Sequence, residues 1–166
     1  SYLIDASIQL HVIWNMAFSV ADLKYIEPSV LREWILKRDE KFSFLIIDVR
    51  DSDYVGGHIK GSKNIPSAQV KHELPNIYDT LKEINCKSIV FHCTLSQQRG
   101  PSSAMMLLRY LNAVIESSKS SSDEIKFAKS INVYVLRGGF ARWQNIYGGD
   151  EELTEDYDKK FWTNEF

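Results

Sequence analysis

The stretch SIVFHCTLSQQRGPSSAMMLLRYL, Ser88 to Leu111, decides the architecture. It opens with the apolar run Ile89, Val90 and Phe91, bounded by Ser88 and His92, which has the length and composition of a buried strand. A polar loop follows from Cys93 to Arg99, and the chain then breaks at Gly100–Pro101. Beyond the break, Ala104, Leu107, Leu108, Leu111 and Ile115 recur at helical spacing and define one apolar face. The unit is strand, polar loop, helix.

Working outward, the same alternation recurs. FSFLIIDVR (Phe42–Arg50) is a continuous apolar run of strand length, a second short strand is expected near Lys63–Ile65, and INVYVL (Ile131–Leu136) reads as another buried strand. Between them, YIEPSVLREWILKRD places Pro28 at a helix start and sets Val30, Leu31, Trp34 and Ile35 on one stripe. SAQVKHELPNIYDTLKEIN is helical in pattern, with Pro75 expected to break or kink it. The serine-rich ESSKSSSDE (Glu116–Glu124) is expected as an exposed connection. RGGFARWQNIYGG predicts a turn and a short helix packing Phe140, Trp143 and Ile146, and the acidic, aromatic tail after Gly149 is expected to wrap the surface. Strands alternating with helices predict an α/β fold: a central, mainly parallel sheet with helices on both faces.

Residues 21–166 are expected to form a single domain, and residues 1–20 an N-terminal extension. That first stretch is moderately apolar but has no basic leading region and is interrupted by Asp5, Gln9, His11 and Asn15, so it does not read as a signal peptide; Met16 is a candidate start. Over the 166 residues, 20 Lys and Arg stand against 22 Asp and Glu, a net charge of -2, which provides no footprint for nucleic acid or an anionic membrane surface. No apolar run approaches the roughly 20 residues of a membrane helix. The two cysteines, Cys86 and Cys93, make neither a disulfide scaffold nor a metal cluster. No metal and no cofactor are expected, and a reducing compartment, cytoplasmic and/or nuclear, fits the cysteine usage.

The chemistry concentrates in the loop. In parallel sheets, ligands bind beyond the carboxyl ends of the strands, which is where Cys93 falls. The successive backbone N–H groups of Thr94, Leu95, Ser96, Gln97 and Gln98, curling toward a helix N-terminus with Gly100 at the tight bend, predict an oxyanion cradle. Arg99 adds a planar fork of donors matched to two oxygens of a phosphate-like group. The same surroundings favour thiolate over thiol at Cys93. A nucleophile, a cradle and a charge clamp together describe phosphoryl transfer to sulfur, followed by hydrolysis of the phosphocysteine.

Three motifs, LIIDVRDSDYVGGHIKGSKNIP (Leu45–Pro66), IVFHCTLSQQRGPSSA (Ile89–Ala104) and VYVLRGGFARWQ (Val133–Gln144), stand in an order that resembles the rhodanese-fold phosphatases of the cell-division-cycle dual-specificity type, above all their small single-domain fungal members. The resemblance runs from about Tyr25 to Gly149. It implies a parallel sheet of five strands, Cys93 as nucleophile, Arg99 as transition-state clamp, and phosphotyrosine-like or dual-specificity substrates, whether phosphoprotein or small phosphate ester. The five residues between Cys93 and Arg99 match the phosphatase spacing, one more than in sulfurtransferases of the same fold. Fungal arsenate reductases share this loop length and the RGP exit, so arsenate reduction with an external thiol stands as the alternative, with a weakly active binding module behind it. Two positions depart from the family: Gln98 where a glutamate is usual, and Val49 where a second cysteine often stands. Cys86 does not replace that second cysteine, because the strand between it and Cys93 spans about 20 Å.

Supporting roles are expected for His92, buried and ordering the loop so as to stabilise the thiolate, and for Asp48, hydrogen-bonding loop N–H groups or pairing with an arginine at its strand end. His58 is expected to orient a turn, and the Ser96 hydroxyl to donate to the thiolate or remain solvated. Asp48, Asp53, Asp150, Glu151 and Glu152 are the candidate general acids. Arg137 and Arg142 are expected as surface charges.

Overall fold

The computed structural model describes residues 18–38 and 42–164. The five-stranded sheet comprises β1 (Lys24–Ile26), β2 (Leu45–Asp48), β4 (Lys63–Asn64), β5 (Ser88–His92) and β6 (Asn132–Leu136), ordered β1-β6-β5-β2-β4 with every pairing parallel. The short β3 (His58–Ile59) pairs antiparallel with β7 (Thr154–Glu155) outside this sheet. The helices are α1 (Pro28–Leu36), α2 (Ser67–Glu83), α3 (Arg99–Glu116), α4 (Ser122–Lys129), α5 (Gly139–Tyr147) and α6 (Lys159–Asn164).

Strand alternation sorts the core into two layers. Ile47, Ile89, Phe91, Val133 and Val135 pack with Val70, Leu74 and Leu81 of α2 and Leu107 and Leu111 of α3. Ile46, Val90 and Leu136 point the other way, into a cluster with Leu31 of α1, Phe140 and Trp143 of α5, and Trp162 of α6. The predicted two-sided parallel architecture is the one observed.

Several local expectations are corrected. The helix α2 runs through Pro75 unbroken, its face of Val70, Leu74, Ile77, Tyr78 and Leu81 being buried on the sheet. Tertiary burial of such a face outweighs the roughly 3 kcal/mol that a mid-helix proline costs. The serine-rich connection is shorter than expected, because Ser121 accepts a hydrogen bond from the Glu124 N–H and starts α4 within it. On α5, Phe140 and Trp143 are fully buried, but Ile146 is exposed and Tyr147 takes the packing position against Trp143, with ring centroids 4.8 Å apart. The tail does more than wrap the surface: its β7 pairs with β3, and the Trp162 indole N–H donates to the Gly56 carbonyl at 2.8 Å.

Packing begins inside the stretch expected as an extension. The Phe18 N–H and C=O both bond the Asn112 side chain, at 3.0 and 2.8 Å, and its ring joins the α3 layer. The first 17 residues of that expected extension lie outside the described residues.

Candidate active site

The site forms where the β2 and β5 strands, neighbours in the sheet, release their chains at the carboxyl edge. After β5, the chain bends through residues 93–98 and enters α3 at Arg99. Ser96 takes φ +54, a left-handed conformation that turns the loop back on itself, and its N–H donates to Cys93 Sγ at 3.2 Å. The donor to sulfur is therefore the backbone of Ser96. Its hydroxyl is buried, with no hydrogen-bond partner among the described residues. Gly100 is buried in the first turn of α3, where a Cβ would lie 3.4 Å from both the Cys93 nitrogen and the His92 Cα.

The loop is anchored from below by α5. The Phe140 and Ala141 N–H groups donate to the Cys93 and Thr94 carbonyls, each at 2.9 Å. This contact requires Gly139, at φ +61, because a Cβ there would lie 2.6 Å from the Cys93 oxygen and closer still to that of Thr94. The second glycine of the LRGGF motif thus positions the cysteine.

Behind the loop sits a closed polar cluster. Asp48 and Arg50 are both fully buried; Arg50 Nη2 donates to Asp48 Oδ2 at 2.7 Å and to the Gly57 carbonyl at 2.8 Å, while its Nε bonds both carboxylate oxygens at 3.0 Å. The Arg50 guanidinium lies over the Phe140 ring at 4.3 Å and the Tyr54 ring at 4.9 Å. Burial opposes ionisation of Asp48, but His92 and the Arg50 hydrogen bonds overcome it and hold the carboxyl below its ordinary value. His92 Nδ1 donates to the Cys93 carbonyl at 3.1 Å and Nε2 lies 3.7 Å from Asp48. Complete burial pushes this imidazole down against the pull of Asp48.

In front of the loop lies a cavity of about 500 Å³. Cys93 and the loop residues Thr94, Leu95, Gln97, Gln98 and Arg99 line it, together with Asp53 and the α6 aromatics Phe161 and Trp162. Ser96 and Gly100, expected as cradle residues, are turned inward and build the loop rather than its surface. Arg99 is already engaged. Its Nη1 and Nη2 donate to Asp53 Oδ1 and Oδ2 at 2.7 and 2.5 Å, and Nη1 also reaches Asp51 Oδ2 at 3.2 Å. The Thr94 hydroxyl adds a 2.6 Å hydrogen bond to Asp53 Oδ2. Asp51 is fixed in turn by the Ser67 hydroxyl at 2.6 Å. The Arg99 hydrogen bonds hold the Asp53 carboxyl far below its usual range, and those of Asp53 raise the guanidinium. The Ser67 hydroxyl and Arg99 likewise lower Asp51.

Of the candidate acids, Asp48 is closed off by Arg50, whereas Asp53 reaches the cavity. Asp150 accepts from the Glu152 N–H in the turn before β7, and neither it nor Glu151 or Glu152 lines the cavity. Arg137 and Arg142 both pair with Glu27, at 2.6 and 3.3 Å, as surface charges. His58 sits in β3 with its ring tilted against that of Tyr54, centroids 5.9 Å apart. Local pattern does not show the engagement of Arg99 by Asp51 and Asp53; its signal is that the DVRDSD run leaves β2, the strand that parallel pairing sets beside β5.

A parallel α/β sheet with a loop from a cysteine to an arginine at its carboxyl edge defines the class of domain. Residues 31–146 match the model of the rhodanese-like domain family, and the chain belongs to that family. It is 36% identical to the CDC25-like phosphatase YCH1 of Saccharomyces cerevisiae, covering 88% of this chain and 98% of that protein. It is 38% identical to the dual specificity phosphatase ibp1 of Schizosaccharomyces pombe, covering 82% and 99%. The solved yeast protein tyrosine phosphatase Ygr203w superposes with a TM-score of 0.70 at 36% identity, over 87% of this chain and 99% of that one. The As-Sb reductase of Leishmania major superposes with a TM-score of 0.62 at 29% identity, over 78% and 81%. Within the rhodanese-like family, the chain groups with the small CDC25-like phosphatases.

Proposed function

We propose that the chain is a cysteine-dependent phosphatase of phosphotyrosine-like, dual-specificity or aryl monoesters that works through a phosphocysteine on the loop from Cys93 to Arg99. The observation that carries this reading is the Ser96 N–H donated to Cys93 Sγ, in a cavity that the Arg99 guanidinium also lines. Cys93 sulfur attacks phosphorus as the ester bond breaks, and the loop N–H groups with Arg99 hold the charge that develops on the phosphoryl oxygens. Water then attacks phosphorus, the S–P bond breaks, and inorganic phosphate leaves. His92 supports the loop through the Cys93 carbonyl, and Asp48 supports it through Arg50, which stacks on the α5 aromatic that anchors Cys93.

Leu95, Phe161 and Trp162 surround the cavity with apolar surface, which suits an aromatic leaving group and a phosphorylated protein side chain. The two thiols are unpaired, and a reducing compartment, cytoplasm or nucleus, suits a nucleophilic sulfur.

The test is steady-state hydrolysis of p-nitrophenyl phosphate by wild type, Cys93→Ser and Arg99→Ala, with acid-quenched capture of a phosphorylated cysteine. Turnover and capture that vanish in Cys93→Ser support the reading. Turnover no faster than Cys93→Ser, with glutathione-dependent loss of arsenate in its place, supports the second reading, favoured by the likeness to the As-Sb reductase.

A further inference from the structure

We propose that Asp53 is a displaceable counter-anion of Arg99 and that, once an incoming phosphate takes the guanidinium, it becomes the acid that protonates the leaving oxygen. The proposal rests on the phosphatase reading above. Its basis is the position of one side chain. Asp53 presents two oxygens to the two terminal nitrogens of Arg99 in the side-by-side geometry that two phosphoryl oxygens would use. The Thr94 hydroxyl, one residue past the nucleophile, holds the same carboxylate over the start of the loop. Among the described residues that line the cavity, Asp53 is the only carboxylic acid.

A carboxylate and a phosphate dianion do not share one guanidinium face without a proton between them. The arriving anion therefore turns Asp53 away from Arg99 and removes the interaction that keeps its carboxyl ionised. Arg99 stays in place because Asp51 still holds Nη1, and Asp51 is itself tied to Ser67. The two aspartates divide the work: one anchors the clamp, the other yields it.

The protons balance. A monoester bound as its monoanion passes its proton to Asp53. The Cys93 thiolate attacks, the S–P bond forms, and the ester P–O bond breaks with its electron pair moving to the leaving oxygen, which takes the Asp53 proton and departs as the alcohol or phenol. In the second half, water attacks phosphorus and gives a proton to the Asp53 carboxylate. The S–P bond breaks with its electrons returning to sulfur, and phosphate leaves as its monoanion with that proton.

The experiment compares wild type, Asp53→Asn and Asp51→Asn in two readouts: calorimetric binding of inorganic phosphate, and turnover of aryl phosphates whose phenols span a wide pKa range. For Asp53→Asn, phosphate binds about fivefold tighter because its competitor has lost its charge. Turnover of phenyl phosphate falls about 100-fold, the lower end of what an acid supplies, while the ester of the most acidic phenol is hydrolysed at nearly the wild-type rate. Asp51→Asn weakens phosphate binding and lowers turnover equally across the series. Weaker phosphate binding by Asp53→Asn would overturn the displacement and leave Asp53 a positioning residue. An equal loss on all esters would overturn the acid role. Wild-type turnover that does not exceed Cys93→Ser would defeat the phosphatase reading itself and the acid role with it, while the phosphate titration still decides the displacement.

Discussion

Of the aspartate–arginine pairs that the run DVRDSD at the end of β2 makes, Asp48–Arg50 and Asp53–Arg99 behave as opposites. Asp48–Arg50 has both side chains fully buried, with spare guanidinium N–H groups donated to carbonyls and two aromatic rings against the charge. Asp53–Arg99 has side chains 39% and 33% exposed and opens on a cavity. The chemistry is the same, and the solvent differs. A sealed pair whose donors are satisfied is held because releasing either charge is expensive. A partly exposed pair at a cavity rim is held weakly enough to be exchanged for another anion. On the proposed function, the first pair shapes the site and the second takes part in its working cycle.

The largest expected effect comes from opening the sealed pair. Arg50→Met leaves Asp48 uncompensated and costs about 3–5 kcal/mol, read as a fall of about 10 °C or more in the thermal midpoint. The double variant Asp48→Asn with Arg50→Met recovers much of that loss, since no lone charge stays buried. Removing the rim arginine gives the reverse profile. Arg99→Ala lowers kcat/KM on an aryl phosphate by about 100- to 1000-fold, yet moves the midpoint by no more than about 3 °C.

Acid sharpens the contrast further. The depressed imidazole of His92 keeps the fold more stable above its unfolded value of about 6.5, and that advantage is lost as pH falls below it. The depressed Asp48 carboxyl adds a contribution present above about 3.9 and lost below it. Urea unfolding between pH 7 and pH 4 is expected to show stability declining from pH 6.5 downward, and His92→Gln to flatten the upper part of that decline. The smallest effect belongs to the cavity wall. Phe161→Ala lowers kcat/KM for an aryl phosphate about three- to tenfold, the range of one aromatic contact, and leaves the affinity for inorganic phosphate unchanged.

What was legible in the sequence was what local pattern determines. The strand from Ser88 to His92 was read to the residue, because an apolar run between two polar ends specifies a buried strand by itself. The edge strand β1 was not read; its three residues gain their conformation from β6, more than 100 positions away, through Lys24–Tyr134 and Tyr25–Val135. Pro75 misled because propensity is local and burial is not. In the site, Cys93 and Arg99 stood out by spacing, whereas the Asp53 contact crosses 46 positions and follows only from β2 and β5 being neighbours. For Asp48 the sequence leaves open loop N–H groups or an arginine as partners, and within the DVR run it takes both, the Arg50 N–H and the Arg50 guanidinium.

The helix beneath the loop has one more effect. With every described peptide bond trans, the carbonyls that Cys93 and Thr94 turn toward α5 force the amide hydrogens of Thr94 and Leu95 to the opposite side. The attraction for anions that the proposed function requires is thus built partly from oriented peptide dipoles in a chain whose net charge is -2. Fixed dipoles at contact distance are screened far less by dissolved ions than two charges at the surface, where the Debye length is about 8 Å at physiological ionic strength. Raising the salt concentration should therefore loosen the grip of Asp53 on Arg99 while the amides of the loop continue to hold an oxyanion.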